Sequence, residues 1–238
     1  MPHMTVTFIG DVHGWNSRLT TVLAQASGPL VFVGDLVDRG PAAPAVLDRV
    51  HARCANGEAQ CLMGNHEWML VRSLGRHDAP PNDDAFEAWI AGWGGDAVLA
   101  AYRVTTPEAL KKALRPHWAW LSDLPWVLEG AAGERHWIAV HAGLEPNRPT
   151  AAQLAELRLG WAGPWAESAD PRPWALFNKH RVEAVPRDLP AGTCVVSGHT
   201  PRLKALVTPS RILCDTSGGQ PNRQLSAVEW PSGRVLLG

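Results

Sequence analysis

Five short stretches hold most of the side chains in this chain that could do chemistry. They are Asp11-Val12-His13-Gly14, Asp35 through Asp38-Arg39-Gly40, Gly64-Asn65-His66-Glu67, His141-Ala142-Gly143 and Gly198-His199-Thr200. An aspartate in one such loop is, taken singly, most simply a turn or cap residue. Five loops that each carry Asp, Asn or His point elsewhere. Carboxylates, imidazoles and an amide carbonyl without a thiolate suit borderline-hard divalent ions better than a closed structural zinc site. Manganese is the leading candidate, with iron and zinc the others. The candidate ligands Asp11, His13, Asp35, Asn65, His141 and His199 are too many for one catalytic ion that must keep an open position. Two ions sharing a carboxylate fit better. Asp35 then bridges, Asp11 and His13 complete one shell, and Asn65, His141 and His199 complete the other. Such a pair, about 3.5–4 Å apart, lowers the pKa of a shared water and clamps phosphoryl oxygens during in-line attack. His66 is placed to act as general acid for the leaving oxygen, with Asp38 orienting its ring. The planar fork of Arg39 suits two phosphate oxygens, which makes Arg39, with Asn65, the substrate-binding candidate.

Each loop follows a short apolar run: Val6-Thr7-Phe8-Ile9, Leu30-Val31-Phe32-Val33, Gln60-Cys61-Leu62-Met63, Trp137-Ile138-Ala139-Val140 and Cys194-Val195-Val196. Runs of this length and β-branched content read as buried strands, and open α/β sheets place ligands beyond the carboxyl ends of their strands. Strand 5–10, a helix over about 17–26 capped by Ser17, strand 30–34, a helix from Pro41 to about 56, strand 59–63 and a helix through Trp68, Leu70 and Val71 follow in order. That alternation predicts a mainly parallel sheet with right-handed crossovers. Residues 75–84 then read as loop, 85–93 as a short helix ended by Gly94-Gly95, and 107–121 as one amphipathic helix. This block is expected to form a helical insert over one edge of the sheet. Strands are expected near 126–129 and 137–141, a helix over 150–161, and an irregular Pro- and Trp-rich stretch over 162–192, of a kind that is more often functional than a plain connector. The tail, with strands near 193–198, 211–215, 225–230 and 234–237, is expected to form a largely antiparallel second sheet.

Composition narrows the function classes. The chain has 238 residues, 45% hydrophobic and 19% charged, with a net charge of −1, which is ordinary for a soluble globular protein. No long basic or acidic block is present, so bulk attraction to nucleic acid or to an anionic membrane is not expected. No apolar stretch approaches the roughly 20 residues that span a bilayer, and no leader pattern precedes the first strand; a cytoplasmic protein is expected. The four cysteines, Cys54, Cys61, Cys194 and Cys214, are scattered without CxxC pairing, against both a thiolate zinc site and a disulfide framework. Of the twelve tryptophans, most are expected in the core and a few along a substrate groove. His3, His51, His77, His117, His136 and His180 lack a surrounding motif and read as surface or satisfied polar residues.

The ordered set Gly10-Asp11-Val12-His13-Gly14, Gly34-Asp35-Leu36-Val37-Asp38-Arg39-Gly40, Gly64-Asn65-His66-Glu67, His141-Ala142-Gly143 and Gly198-His199-Thr200 resembles the five signatures of the calcineurin-like metallophosphoesterases. More narrowly it is similar to the phosphoprotein phosphatases, in their compact bacterial and phage branch. The resemblance implies one domain over 1–238 with an α/β fold, a two-sheet sandwich flanked by helices. Inserts over about 75–135 and 145–192 would shape the substrate groove. It also implies a dinuclear metal-dependent phosphoesterase with the roles given above. Two features depart from the family pattern. The arginine that often precedes Gly-Asn-His-Glu is Met63 here, and the further phosphate-gripping arginine has only Arg158, Arg172 and Arg181 as unmatched candidates. Symmetrical diadenosine tetraphosphate hydrolases usually read Gly-Asn-His-Asp, so Glu67 leans towards the protein phosphatases. Asp215-Thr216-Ser217-Gly218-Gly219 resembles the turn after a late strand in the compact bacterial enzymes and reads equally well as a plain glycine turn. The expected activity is therefore a phosphomonoesterase of the serine/threonine protein phosphatase type, acting on a phosphorylated protein or small phosphoester. The alternatives are a symmetrical dinucleoside tetraphosphate hydrolase and an inactive binding module of the same fold; the oligomeric state is open.

Overall fold

The computed structural model describes residues 5–167 and 172–238. Its first part alternates as expected: β1 (Val6–Ile9), α1 (Asn16–Leu23), β2 (Leu30–Phe32), α2 (Ala43–Ala55), β3 (Ala59–Cys61) and α3 (Asn65–Leu74). Four helices follow, α4 (Asp83–Trp93), α5 (Asp96–Tyr102), α6 (Pro107–Ala113) and α7 (Arg115–Ser122), then strands β4 (Leu128–Ala132) and β5 (Arg135–Ala139). After α8 (Thr150–Arg158), two 3₁₀ turns and the single-turn α9 (Trp174–Phe177), the chain ends in β6 (Thr193–Ser197), β7 (Leu206–Val207), β8 (Arg211–Leu213), β9 (Ser226–Trp230) and β10 (Arg234–Leu237).

These strands build two five-stranded sheets, in the orders β10-β9-β1-β2-β3 and β4-β5-β6-β8-β7. Successive strand side chains point to opposite faces, and here both faces are buried, which is why the strands read as near-continuous apolar runs. Phe8, Val31 and Val33 from one sheet meet Trp137, Ala139, Val196 and Ile212 from the other in a shared core. Phe8 and Trp137 pack edge to face at 5.3 Å. The alternating partners Ile9, Phe32 and Val195 join the second, larger cluster beneath the helices. The result is an α/β fold, a two-sheet sandwich flanked by helices, as expected.

Several expectations need correction. The tail does not form its own antiparallel sheet. β6 runs parallel to both β5 and β8, while β9 pairs antiparallel with β1 and brings β10 into the first sheet. The single helix expected over 107–121 is two, meeting at Leu114. Pro116 has no N–H to donate and its ring clashes with the preceding turn, so the helix must restart there. Helix α1 has Trp15 rather than Ser17 at its N-cap and stops at Leu23. The helix expected over 150–161 gives way to a 3₁₀ turn after Arg158. Helices α5 and α9 and the two-residue β7 were not anticipated, being too short for a periodic signal. The helical insert packs on α2 and α3 rather than on the sheet edge itself. Part of the irregular 162–192 stretch, residues 168–171, lies outside the described residues. Among the described residues no helix is long and apolar enough to cross a membrane.

Candidate functional site

Each expected site residue sits just past the end of a strand or at the first turn of α3. The chain there must reverse sharply while aiming a side chain at the common centre, and the backbone records this. His13, Asp35, Asp38, Arg39 and His199 all hold positive φ, between 45° and 71°, a region that non-glycine residues rarely occupy and that tends to mark functional loops. Gly198 has no alternative residue: a Cβ there would collide with the Asp11 carboxylate. The loops are also tied to one another. Val12 and His13 donate their amides to Asp35 O at 3.0 and 2.8 Å, and the His199 amide donates to both Asp11 carboxylate oxygens at 3.1 and 3.0 Å. Residues 188 positions apart thus meet directly.

At the centre, lone pairs outnumber hydrogens. His141 donates Nδ1–H to Val33 O at 2.7 Å, which leaves its Nε2 bare if the ring is neutral. That atom faces Asn65 Oδ1 at 2.7 Å, His199 Nδ1 at 3.2 Å and Asp35 Oδ1 at 3.4 Å. Asn65 Oδ1 also lies 2.8 Å from His199 Nδ1. Nitrogen and oxygen donor atoms converging this closely in a buried site suit a cation between them. The ligand atoms of Asp35, His141 and His199 form one group that could hold a divalent ion. On the other side of Asp35, His13, Asp35 and His66 form a second, with His13 Nδ1 donating to Val37 O at 2.9 Å so that Nε2 is the free nitrogen. Asp35 belongs to both groups.

The titration behaviour reports the same charge deficit. Burial, then the charges of Asp215 and Asp35, pushes the Asp11 carboxyl well above its ordinary range. Burial opposes ionisation of Asp35, but the His141, His66 and His13 rings hold it well below the ordinary range. Burial likewise works against a charged His141, yet Asp35 holds its pKa up. A divalent cation would offset the burial and repulsion at Asp11, and the converging ligand atoms around Asp35 fit a metal pair.

Next to this centre His66 Nδ1 lies 2.6 Å from Asp38 Oδ2, the contact expected if Asp38 orients the ring. Burial raises Asp38 well above its ordinary range and lowers His66 to about 3, each towards its neutral form. Arg39 donates to the Nε2 atoms of both His13 and His66 at 2.9 Å, and to Gly218 O. Its guanidinium is thereby held against both imidazoles at the mouth of the centre.

The model of the calcineurin-like phosphoesterases matches residues 4–203, most of the chain. The chain belongs to the calcineurin-like phosphoesterase family. Members of this family are phosphoesterases that use divalent metals. A symmetrical bis(5′-nucleosyl)-tetraphosphatase from Janthinobacterium sp. (strain Marseille) is 40% identical over 157 residues, 64% of this chain and 48% of that protein. The enzyme of the same name from Ralstonia nicotianae is 41% identical over 96 residues, 34% of each chain. That from Burkholderia pseudomallei is 29% identical over 187 residues, 72% of this chain and 57% of that protein. The chain spans about half the length of the curated relatives it matches. Among solved structures, a protein serine/threonine phosphatase from Saccharomyces cerevisiae superposes over the whole chain and 80% of its own, with TM-score 0.60 and 14% identity. One provisionally assigned as a diadenosine tetraphosphatase covers 100% and 94%, with TM-score 0.57 and 22% identity. At such identities the superpositions show the fold alone.

In this member of the family the structure also reveals supports that residue type alone concealed. Glu67 is fully buried and accepts the backbone amides of Asp35, Leu36, Val37 and Gly64 at 2.7 to 3.2 Å. Burial and the Asp35 charge push its carboxyl up to about 7. It braces the Asp35 loop from behind and is absent from the cleft wall. Trp89, read as core, donates Nε1–H to Asp38 Oδ2 at 2.9 Å, and Gly94 O accepts the Arg39 amide, so the helical insert grips the Asp38-Arg39 loop. Asp215 lies beyond β8 as the other aspartates lie beyond their strands, buried, with Oδ2 unpartnered among the described residues; that repeated placement was its available signal. Met63 is wholly buried in the apolar cluster under the helices, where an arginine would be out of place. Of the arginine candidates, Arg172 lines the cleft, whereas Arg158 is paired with Glu129 on the surface at 2.6 Å. Lys179, not singled out in the sequence, lines the cleft as well. The cleft has a volume of about 900 Å³, with Asp35, Asn65, His66 and His199 at its base and Trp93 and Phe177 on one wall.

Proposed function

We propose that this chain hydrolyses dinucleoside polyphosphates, in the manner of a symmetrical dinucleoside tetraphosphate hydrolase. The observation that carries this reading is the cleft itself. Arg39, Arg172 and Lys179 bring three cationic side chains to one cleft of about 900 Å³, and such a set suits a chain of phosphates better than a single one. The shared name of the curated relatives supports the same substrate class. The protein phosphatase reading rested on the ordered motifs and on Glu67; the Glu67 carboxylate faces the Asp35 loop and not the cleft, so that residue lends it no weight.

In this reading Asp11, His13, Asp35, Asn65, His141 and His199 would hold a pair of divalent ions, with Asp35 common to both; manganese is our choice of metal. Bound ions of this kind supply an acidified water and neutralise phosphoryl oxygens. Arg39 turns from the two histidines onto the phosphoryl group, and Lys179 and Arg172 hold the neighbouring phosphates. His66, held by Asp38, delivers the proton that the leaving phosphate oxygen requires. Four free thiols, three of them buried, suit the reducing conditions of the cytoplasm.

Initial rates on diadenosine tetraphosphate and on a phosphothreonine peptide, at one manganese concentration, test the proposal. Faster turnover of the dinucleotide with ADP as product is expected. Preference for the peptide would restore the protein phosphatase reading, and hydrolysis of neither would leave an inactive binding module.

A further inference from the structure

Among the described residues five large apolar side chains are exposed: Leu159, Leu203, Val207, Val235 and Leu237. Three of them, Leu203 (89% exposed), Val235 and Leu237, line a single pocket of about 460 Å³ with Ala205. Scattered surface leucines need no explanation, but clustering around one concavity does. The volume falls within the roughly 300–1,000 Å³ of small-molecule sites. Lys204, Asn222 and Arg223 stand on its rim, and none of their side chains has a hydrogen bond or ion pair with another described residue.

This pocket adjoins the catalytic cleft through two segments of chain that line both in turn. Thr200-Pro201 and Gly218 to Pro221 face the cleft, and the same two segments continue into the pocket as Leu203-Lys204-Ala205 and Asn222-Arg223. Two residues of chain reach at most about 7 Å, so Pro201 and Leu203 cannot be far apart, and Pro221 and Asn222 are neighbours. The segments are held together where they pass: the Arg202 amide donates to Asp215 O at 3.1 Å, and Thr216 Oγ1 donates to Gln224 O at 2.8 Å.

The geometry points to this pocket as the seat of one nucleoside of the dinucleoside polyphosphate, an assignment that rests on the function proposed above. Symmetrical cleavage leaves two phosphates between the reacting bond and each nucleoside, so a nucleoside must lie outside the metal centre but next to it. The apolar faces of a purine pack on Leu203, Val235 and Leu237, the Asn222 amide meets its polar edge, and Arg223 and Lys204 meet the phosphates arriving over the wall.

The test uses the whole chain with two single variants, Leu203→Asp and Arg223→Ala. Both side chains point into solvent or the rim, so the fold is not at stake. For each protein, kcat and KM are measured on diadenosine tetraphosphate and on p-nitrophenyl phosphate, ADP binding is measured by calorimetry with chelator present, and molar mass by light scattering. The expected result is a KM for the dinucleotide raised about tenfold or more, with aryl phosphate kinetics within about twofold of the wild type and ADP affinity falling in parallel. If the wild type cleaves the dinucleotide and the variants match it in KM and ADP affinity, the seat is overturned and the proposed function stands. If the wild type cleaves only the aryl phosphate, the proposed function falls; ADP binding lost in Leu203→Asp would then still support a nucleotide seat, and a wild type that binds no ADP would overturn it. A wild-type dimer split by Leu203→Asp would give the patch to a second copy of the chain and overturn the assignment.

Discussion

At the scale of single residues, Asp35 and His66 are neighbours with separable jobs. Asp35 contributes to both metal groups, so Asp35→Asn is expected to remove most bound manganese by elemental analysis together with activity. His66→Asn is expected to keep the metal and to lower kcat about 10²- to 10⁴-fold, the usual contribution of a positioned proton donor. Metal lost from both variants alike would show that His66 is a ligand rather than an acid. Glu67 works out of sight of the substrate. Truncation in Glu67→Ala orphans four backbone amides, and since a buried unsatisfied donor costs about 1–3 kcal/mol, urea unfolding is expected to show a large loss of stability. The positive φ angles at Asp35, Asp38 and Arg39 explain why such bracing is needed: the loop holds a conformation it would not choose alone.

At the scale of elements, the helical insert does more than cover α2 and α3. Through Trp89 and Gly94 it reaches the loop that carries Asp38 and Arg39. Trp89→Phe keeps the ring's packing and deletes one hydrogen bond, for a stability loss of about 1 kcal/mol. The larger consequence is expected in kcat, with metal content unchanged, because Asp38 loses a partner that fixes it against His66. A second contact joins the insert to α2. His51 Nδ1 lies 3.2 Å from His117 Nδ1, His117 Nε2 lies 3.0 Å from Asp48, and the His51 ring stacks on Trp120 at 4.8 Å. Burial, and then the His117 ring, lowers the pKa of His51, with Asp48 opposing. The unfolded chain therefore binds this proton more readily than the folded one. The stabilisation is complete above the unfolded value of about 6.5 and is lost progressively as pH falls from there through the lower folded value. Thermal unfolding between pH 8 and pH 5 is expected to show a smaller decline in His51→Gln than in the wild type; an unchanged decline would assign the acid sensitivity to other groups.

At the scale of the molecule, two sheets packed face to face bring Asp11, Asp35 and Asp215 together in a buried centre, where burial raises Asp11 and pushes Asp215 up to about 6. Such a centre is electrostatically incomplete without cations. Manganese is expected to raise Tm and a chelator to lower it, by about 2.7 kcal/mol at a hundredfold excess over Kd, which is several degrees for a chain of this size. A Tm indifferent to both would refute the metal centre. Most of the parallel half and all five strand-end loops were legible in the sequence. Strand length, apolar runs and the residue types beyond them are local properties, and a buried strand that opens into Asp or His is visible without knowing what it packs against. What the sequence could not show was set by distant partners. The tail strands divide between two sheets because β9 finds β1, and β6 finds β5 and β8. Glu67 and Trp89 became supports of the site only because the Asp35 and Asp38 loops come to lie against them. By itself the sequence determined which side chains stand at the strand tips, since pleat and hydrophobicity act between near neighbours. Only the tertiary structure decided that His199 touches Asp11 and that an apolar pocket opens beside the cleft, because both depend on how separate segments are brought face to face.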